Sequence, residues 1–246
     1  MCVMKVLRRF WIPCLWLTLW QLAAQAISEP LLLPSPASVL AQMAALPASL
    51  AFWQSTLHSL GHILFGFLLG IAAGALLALL SAALPPLRAF LSPAMGAVKA
   101  TPVASFVILA LVWIRGENLS VFISFLMVLP LAWQNVGQGI AAADRQLLEM
   151  ARVYRFSLWR RLRGVYLPAV RPHLLSALRV GLGFAWKAGI AGEVIAIAPR
   201  SIGLQLYTAK TSLEMPALFA WTGYIILLSA ILERGMLFLL SRKEAP

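Results

Sequence analysis

The chain has 246 residues, of which 61% are hydrophobic and 11% are charged, and its net charge is +12. A soluble globular domain has roughly 25% charged residues, so this composition excludes a soluble enzyme and predicts an integral membrane protein. The positive charges flank apolar runs, which indicates a role in membrane topology and not in binding nucleic acid. The length allows a single transmembrane domain over residues 1–246.

Residues 1–52 are predicted to hold one span and one short helix. Three basic residues precede an apolar run over residues 10–27, which is long enough to cross a membrane. A secretory signal is the competing interpretation, because Ala24-Gln25-Ala26 resembles a cleavage site, but the tryptophans in the run favour a span. Ser35-Pro36 then opens a short helix in the outer interface.

Residues 53–242 hold the other predicted spans and form the core of the domain. These spans are predicted at residues 57–80, 101–113, 119–140, 174–196 and 216–240. Pro85-Pro86 ends the second span, and Arg88 and Lys99 mark an inner loop before Thr101-Pro102 opens the third. Residues 199–215 are predicted as an outer loop. The result is an all-α fold of six transmembrane helices with both termini in the cytoplasm.

The basic residues are distributed unevenly between the two sides of this topology. Fourteen lie on the cytoplasmic side, namely Lys5, Arg8, Arg9, Arg88, Lys99, Arg145, Arg152, Arg155, Arg160, Arg161, Arg163, Arg171, Arg242 and Lys243. Three lie outside, namely Arg115, Arg200 and Lys210. Since loops rich in Lys and Arg stay in the cytoplasm, this asymmetry sets the orientation.

Glycines at regular spacing indicate close helix packing in two spans. Gly66, Gly70 and Gly74 occur once every four residues, which removes side chains from one stripe of the second span and lets another helix approach. Gly181 and Gly183 likewise remove side chains from the fifth span, which would allow close packing at the axis of a dimer.

The loop over residues 145–168 is predicted to contain a short amphipathic helix over residues 157–166. Its apolar stripe consists of Leu158, Trp159, Leu162, Val165 and Tyr166, and its arginines lie opposite. Ser157 is a good N-cap, and Pro168 is predicted to end the helix. Physical reasoning leaves two interpretations open: docking to a cytosolic partner, or lying on anionic lipid.

The spacing of Glu149, Ala151 and Val165-Tyr166-Leu167-Pro168 resembles the EAA-type loop (E-A-A, three residues, G, nine residues, I-x-L-P) of binding-protein-dependent ABC import permeases, which have the MetI-like fold. The later segments ALRVGLGFAWKAGIAGEVI and SIGLQLY are similar to the branch that handles nitrate, sulfonates and taurine. The resemblance covers roughly residues 53–242.

Two positions depart from this pattern. Met150 replaces an alanine and changes only apolar size, whereas Arg155 replaces the glycine. If that glycine needs a positive φ, an arginine there costs about 1–3 kcal/mol, so a turn of altered shape is one expectation.

The resemblance implies a homodimer in the bacterial inner membrane, in contact with lipid, two cytosolic ATPase subunits and an external solute-binding protein. It implies that ATP and Mg²⁺ bind in the ATPase and that this chain needs no cofactor. It also makes the helix over residues 157–166 the coupling helix. The implied ATPase-coupling residues are Glu149, Ala151, Arg152, Ser157, Leu158, Trp159, Arg160, Leu162, Arg163, Leu167 and Pro168.

The fifth span carries unusual polarity. Arg179, Trp186 and Glu193 lie seven residues apart on one stripe, with Lys187 beside it. Charges within a bilayer imply a protein-lined or wet environment. Arg179 is expected to snorkel to the inner interface, and Trp186, Lys187 and Glu193 are candidates for the translocation pathway. For Lys187 and Glu193, a salt bridge to a neighbouring helix is the open alternative.

Motifs for chemistry are missing from the sequence. It contains no G-x-x-x-x-G-K-[ST], no G-x-S-x-G and no H-E-x-x-H, so no catalytic residue is predicted. His58 and His62 lie one turn apart but have too few companions for a metal site.

The favoured function is therefore ATP-driven import of a small anion such as a sulfonate, taurine or nitrate. Two alternatives stay open. One is a secondary transporter or channel driven by an ion gradient, and the lack of inverted-repeat broken helices in the sequence argues against it. The other is a membrane scaffold that transports nothing.

Overall fold

The computed structural model describes the backbone of residues 2–241 and the side chains of residues 11–238. Within these residues every regular element is helical, which confirms the all-α prediction. The helices are α1 (Cys2–Ile27), α2 (Pro36–Ala45), α3 (Leu50–Ala83), α4 (Pro85–Ala100), α5 (Val103–Ala110), α6 (Gly116–Ala141), α7 (Arg145–Val153), α8 (Leu158–Arg161), α9 (Leu167–Ala196), α10 (Ile202–Thr211) and α11 (Met215–Ser241).

Helices α3, α6 and α9 form the centre of the bundle. The contacts between α3 and α6 run in step, with Gly66 against Val121, Gly70 against Phe125 and Gly74 against Ala132. Because the residue numbers rise together, these two helices are parallel. Helix α9 runs the opposite way, since Gly189 meets Ile63 whereas Gly181 meets Phe67. Because glycine has no side chain, the backbones of the two helices can approach closely. Such close packing favours helix association inside a membrane.

Because α3 and α6 are parallel, the chain must cross back between the end of α3 and the start of α6. Helices α4 and α5 form this connection. The pair is bent by 104° at a short break around Thr101-Pro102. The prediction of a straight third span over residues 101–113 is therefore wrong, since α5 ends at Ala110. Arg88 and Lys99 lie on helix α4 and not in a loop, because Pro85 occupies the first helical turn, where its missing N–H is tolerated.

Four helices of the described part are long and apolar enough to cross a membrane. They cover Leu50–Ala83, Gly116–Ala141, Leu158–Ala196 and Met215–Phe238, and the bent pair makes a fifth crossing if it counts as one span. The first predicted span, over residues 10–27, falls on α1, which is helical but whose first nine side chains lie outside the described residues.

Helix α2 packs against α11 near one end of the bundle. Ser35 caps α2 as predicted, since its hydroxyl oxygen accepts a hydrogen bond from the Ser38 N–H at 3.3 Å. The Tyr224 hydroxyl of α11 donates to the Met43 carbonyl at 2.6 Å, and the Trp20 indole donates to the Pro34 carbonyl at 3.1 Å. These bonds fix the short helix to α1 and α11.

The connection over residues 199–215, predicted as an outer loop, contains a helix that the sequence analysis did not predict. Ser201 caps α10 by accepting a hydrogen bond from the Leu204 N–H at 3.0 Å. A serine followed by apolar residues is a normal helix start, but α10 has only 10 residues and, unlike α2, has no proline after its capping serine to mark the start.

Candidate functional site

Helix α7 ends in a Schellman turn at the position where the permease pattern has a glycine. Arg155 has a φ of +49°. Its N–H donates to the Arg152 carbonyl at 3.0 Å, and the Phe156 N–H donates to the Ala151 carbonyl at 2.8 Å. The turn therefore keeps the left-handed backbone that a glycine adopts easily, and the arginine is held in it.

The helix that follows starts as predicted but does not stop where predicted. Ser157 caps it, accepting a hydrogen bond from the Arg160 N–H at 3.4 Å. Pro168 does not end it: the helix continues from α8 through a π-helical turn (Leu162–Tyr166) into α9. In that turn the Leu167 N–H bonds to the Leu162 carbonyl, five residues back. The wider turn accommodates a proline that would otherwise break the helix.

The loop presents a cluster of exposed apolar side chains, which we call the loop patch: Val153, Tyr154, Leu158 and Trp159. Leu158 and Trp159 are each 71% exposed. Leu162, from the same predicted stripe, is also exposed, whereas Val165 is buried against the bundle. An exposed apolar patch with a polar rim marks an interaction surface.

Charged side chains surround the loop patch. Glu149, Arg152 and Arg163 are exposed. The Arg160 guanidinium lies 5.2 Å from the centre of the Phe156 ring. Ala151, by contrast, is buried, so its side chain supports the loop and does not face outward. Leu167 and Pro168 are exposed at the base of α9.

Glu193 is fully buried where α3, α9 and α10 meet. The Ser59 hydroxyl donates to its Oε2 at 2.7 Å, and the Gly203 N–H donates to the same atom at 3.3 Å. Ser59 in turn accepts from the Ile202 N–H at 2.9 Å. The carboxyl group thus joins three helices through a hydroxyl and a backbone N–H. Among the described side chains it has no cationic partner, so the structure does not support a salt bridge here.

Gly203 explains why α10 can lie directly on Glu193. A Cβ at this position would stand 2.3 Å from the Cβ of Glu193 and 2.5 Å from its backbone carbon, closer than real atoms approach. Ser120 of α6 faces the same carboxyl group. The second carboxyl oxygen, Oε1, has no hydrogen-bond partner within the described residues.

We expect Glu193→Leu to destabilise the protein and Glu193→Gln to be tolerated. Leucine would leave the Ser59 hydroxyl and the Gly203 N–H unpaired, at a cost of about 2–5 kcal/mol. Glutamine keeps a carbonyl oxygen that accepts from both donors. The measurement is thermal unfolding of the purified protein in detergent. Equal unfolding midpoints for the two variants would contradict the proposal that the hydrogen bonds of Glu193 hold these helices together.

Trp186 and Lys187 lie next to a groove between α9 and α11. Trp186 is buried, and its indole donates to the Ile225 carbonyl at 3.1 Å. Lys187 is exposed. The groove has a volume of about 290 Å³, and its charged lining residues are Arg179, Lys187 and Glu233. It brings Lys187 and Arg179 to one surface but leaves Glu193 in the interior.

The packing glycines of α9 behave differently from those of α3. A Cβ at Gly181 would make ordinary contacts of 3.4–3.5 Å, and one at Gly183 would have no neighbour within 4 Å. Close packing at Gly183 therefore stays a prediction that needs a second chain.

The rings of His58 and His62 are in contact, with their centres 4.1 Å apart and their planes tilted by 60°. Over the residues that the structure describes, no group of three potential metal ligands occurs.

Sequence reasoning missed Ser59 and Gly203 as partners of Glu193. Ser59 lies 134 positions away in the chain, and no sequence pattern links the two. One signal was available: a carboxylate within an apolar span requires hydrogen-bond donors, and the serines within the other predicted spans were candidates.

Comparison with known proteins shows which sequences and folds this chain is similar to. The sequence model of the family described as "Binding-protein-dependent transport system inner membrane component" matches residues 66–244. The chain is 25% identical over 223 residues to the taurine transport system permease protein TauC of Escherichia coli (strain K12), covering 88% of this chain and 81% of that protein. It is 28% identical over 218 residues to the riboflavin transport system permease protein RibX of Chloroflexus aurantiacus, again covering 88% and 81%.

Among solved structures, the crystal structure of an amino acid ABC transporter with histidines has a similar fold. The TM-score is 0.65, with 17% sequence identity, and the match covers 82% of this chain and 96% of the other.

Proposed function

Because the chain belongs to the family of inner membrane components of binding-protein-dependent transport systems, we propose that it is the permease subunit through which an ATP-driven importer moves a small anion. The family consists of ABC transporter permeases, which are multi-pass membrane proteins and are not enzymes themselves. It implies an ATPase and a solute-binding protein as partners. The exposed loop patch carries the proposal, because it is the surface on which an ATPase can act.

The proposed topology has six spans with both termini in the cytoplasm. Helices α3, α6, α9 and α11 supply four, the bent pair of α4 and α5 supplies a fifth, and α1 supplies the sixth. The parallel arrangement of α3 and α6 supports counting the bent pair as one crossing. The excess of Lys and Arg in the loops at the α7–α8 end supports a cytoplasmic position for that end.

The coupling helix is proposed to be the segment over residues 157–166. Leu158 and Trp159 would fill a groove of the ATPase, with Glu149, Arg152 and Arg163 in contact with its rim. Ser157 fixes the start of the helix. The continuous helix from Leu158 to Ala196 gives a stiff link from this contact to the middle of the bundle. ATP and Mg²⁺ would bind in the ATPase.

A second copy of the chain is proposed to cover the groove beside α9. Exposed Lys187 and Arg179 cannot face hydrocarbon without a large cost, so a protein partner or water must cover them. The open face at Gly183 gives a partner helix room to approach. Closure of the two ATPases would then draw the coupling helices together and switch this central path from outward-facing to inward-facing. Trp186 would support the wall of this path from a buried position. Behind it, the hydrogen bonds of Glu193 would hold α3, α9 and α10 together.

Co-purification tests this proposal. The permease is extracted in mild detergent together with the candidate ATPase, and ATP hydrolysis is measured with and without the solute-binding protein. We expect a stable complex whose hydrolysis rises when the solute-binding protein and its solute are added. A permease that binds no ATPase would contradict the proposal.

The anionic substrate is supported by the cations beside the path. We expect Lys187→Met to lower the uptake of taurine or another sulfonate roughly tenfold, which corresponds to about 1.4 kcal/mol in the barrier. Lys210→Met removes an exposed lysine of α10 and serves as the control. Unchanged uptake in Lys187→Met would favour an uncharged solute instead.

A gradient-driven secondary transporter is the rival function. The bent pair of α4 and α5 is one broken helix, but the described helices contain no second bent pair that would make it half of an inverted repeat, so the argument against a gradient-driven transporter stands. The two functions differ in what drives uptake, because a secondary transporter would move its solute without an ATPase.

A further inference from the structure

The bend between α4 and α5 lies against the middle of the bundle. A cavity of about 480 Å³, which we call the elbow cavity, opens at Thr101-Pro102. It is also lined by Met127 and Pro130, from the middle of α6, and by Phe184, from the middle of α9. Since α6 and α9 both cross the membrane, the elbow cavity lies near the bilayer midplane.

Backbone that is not helical cannot face lipid at this depth. It occurs only where it is buried in protein or lines a water-filled space. Residues 101 and 102 are outside both helices, and Pro102 caps α5 without any side-chain hydrogen bond. The elbow cavity is therefore expected to hold water or a polar ligand.

One cation stands at the elbow cavity. The Lys99 ammonium donates a hydrogen bond to the Gln134 Oε1 at 2.6 Å, which leaves its other N–H groups available. This bond also orients the Gln134 amide, whose NH₂ group is then a free donor. The described residues that line the elbow cavity include no carboxylate. Its polar end thus offers the positive charge of Lys99 and the donor of Gln134, since the Thr101 hydroxyl already donates to the Ala97 carbonyl at 2.8 Å, and most of the other lining residues are apolar.

Phe184 connects this cavity to the groove beside α9. Its ring borders the elbow cavity on one side and the groove with Arg179 and Lys187 on the other. Phe184 therefore lies between Lys99 of α4 and a groove that holds Arg179 and Lys187 together with the carboxylate of Glu233. Lys99 was predicted only as a topological charge of an inner loop.

We propose that the elbow cavity is a binding site for the anionic headgroup of the transported solute, a sulfonate or carboxylate. Lys99 supplies the charge, the Gln134 amide supplies a directional donor, and the walls at Met127 and Phe184 accept the organic part. This inference rests on the proposed import function and adds a site to it. A contact that merely ties α4 to α6 would use the same Lys99–Gln134 bond, so the test must detect anions directly.

Charged thiol reagents make that test possible without knowing the solute. The chain has only two cysteines, Cys2 and Cys14, which are replaced by serine. Thr101→Cys then places one thiol in the elbow cavity of the complete permease–ATPase complex in proteoliposomes. An anionic reagent, sulfonatoethyl methanethiosulfonate, is compared with its cationic trimethylammonioethyl counterpart. In both reactions the thiolate sulfur forms a disulfide with the reagent and methanesulfinate leaves.

We expect the anionic reagent to react about tenfold faster than the cationic one, once each rate is divided by its rate with 2-mercaptoethanol. Lys99→Gln in the same background should reduce this preference to near unity. Leu79→Cys, on the exposed apolar side of α3, is the control and should react with neither reagent.

Three results would overturn the inference: no reaction at Thr101→Cys, equal normalised rates for the two reagents, or a preference that survives Lys99→Gln. ATPase binding and hydrolysis are measured on the same preparation. If both are normal while the anion preference is absent, the elbow site is wrong and the import function stands. If the unmodified permease binds no ATPase, the proposed function itself is contradicted.

Discussion

Trp159→Ala should weaken binding of the ATPase by roughly 30- to 1,000-fold, because a buried aromatic anchor contributes about 2–4 kcal/mol to an interface. Trp159 is 71% exposed in the isolated chain and lies beside Leu158 at the start of a well-capped helix. Its truncation removes the largest side chain of the loop patch without disturbing the core. Transport should fall with it, since force would no longer reach α9. The measurement is titration of the purified ATPase onto the detergent-solubilised permease.

Trp113→Ala is a matched control for this substitution. Trp113 is 75% exposed, so it is as accessible as Trp159, but it lies just before α6, at the opposite end of the bundle. It should bind the ATPase as tightly as the unmodified permease. If Trp159→Ala binds equally well, the loop patch is not the docking surface, and its contact with anionic lipid becomes the better interpretation.

Gly66→Ala should be among the most damaging single changes in the bundle, costing about 1–3 kcal/mol or more. A Cβ at Gly66 would stand 2.3 Å from the Val121 carbonyl oxygen and 3.0 Å from the Ser124 Cβ. The first of these atoms is backbone, so only separation of α3 from α6 relieves the clash. Thermal unfolding in detergent and the yield of folded protein measure the effect.

Gly61 provides the control on the same helix. A Cβ there has no neighbour within 4 Å, so Gly61→Ala should be neutral, or stabilising by up to about 1 kcal/mol through helix propensity. Similar losses in both variants would show that helix packing at the glycine stripe is not what holds α3 to α6.

The sequence predicted best those features that repeat locally. The spacing of Gly66, Gly70 and Gly74 indicated a packing stripe, and in the structure this stripe lies against α6. Ser35 and Ser157 were identifiable as caps because their role depends only on the next three residues. Helical period placed Leu158, Trp159 and Leu162 on one stripe, and all three are exposed, but it placed Val165 on the same stripe, and Val165 is buried.

The features that sequence reasoning missed depend on contacts between distant parts of the chain, or on exceptions to local rules such as a proline tolerated within a helix. Pro168 was interpreted as a helix end, yet a π-helical turn accommodates it. Pro85 does follow the end of α3 as predicted, but the sequence analysis missed that it also starts α4. The bend at Thr101-Pro102 was visible as a helix start but not as half of a broken span. The bonds of Glu193 to Ser59 and Gly203 join parts of the chain that no local pattern relates.

The central claim is that this permease moves solute only when a separate ATPase drives it through the loop patch. Uptake of labelled solute into vesicles tests it most directly, comparing permease alone, permease with ATPase, and the full complex with ATP and the solute-binding protein. The account predicts uptake only in the last case. Uptake by the permease alone, or uptake driven by an ion gradient without ATP, would contradict it.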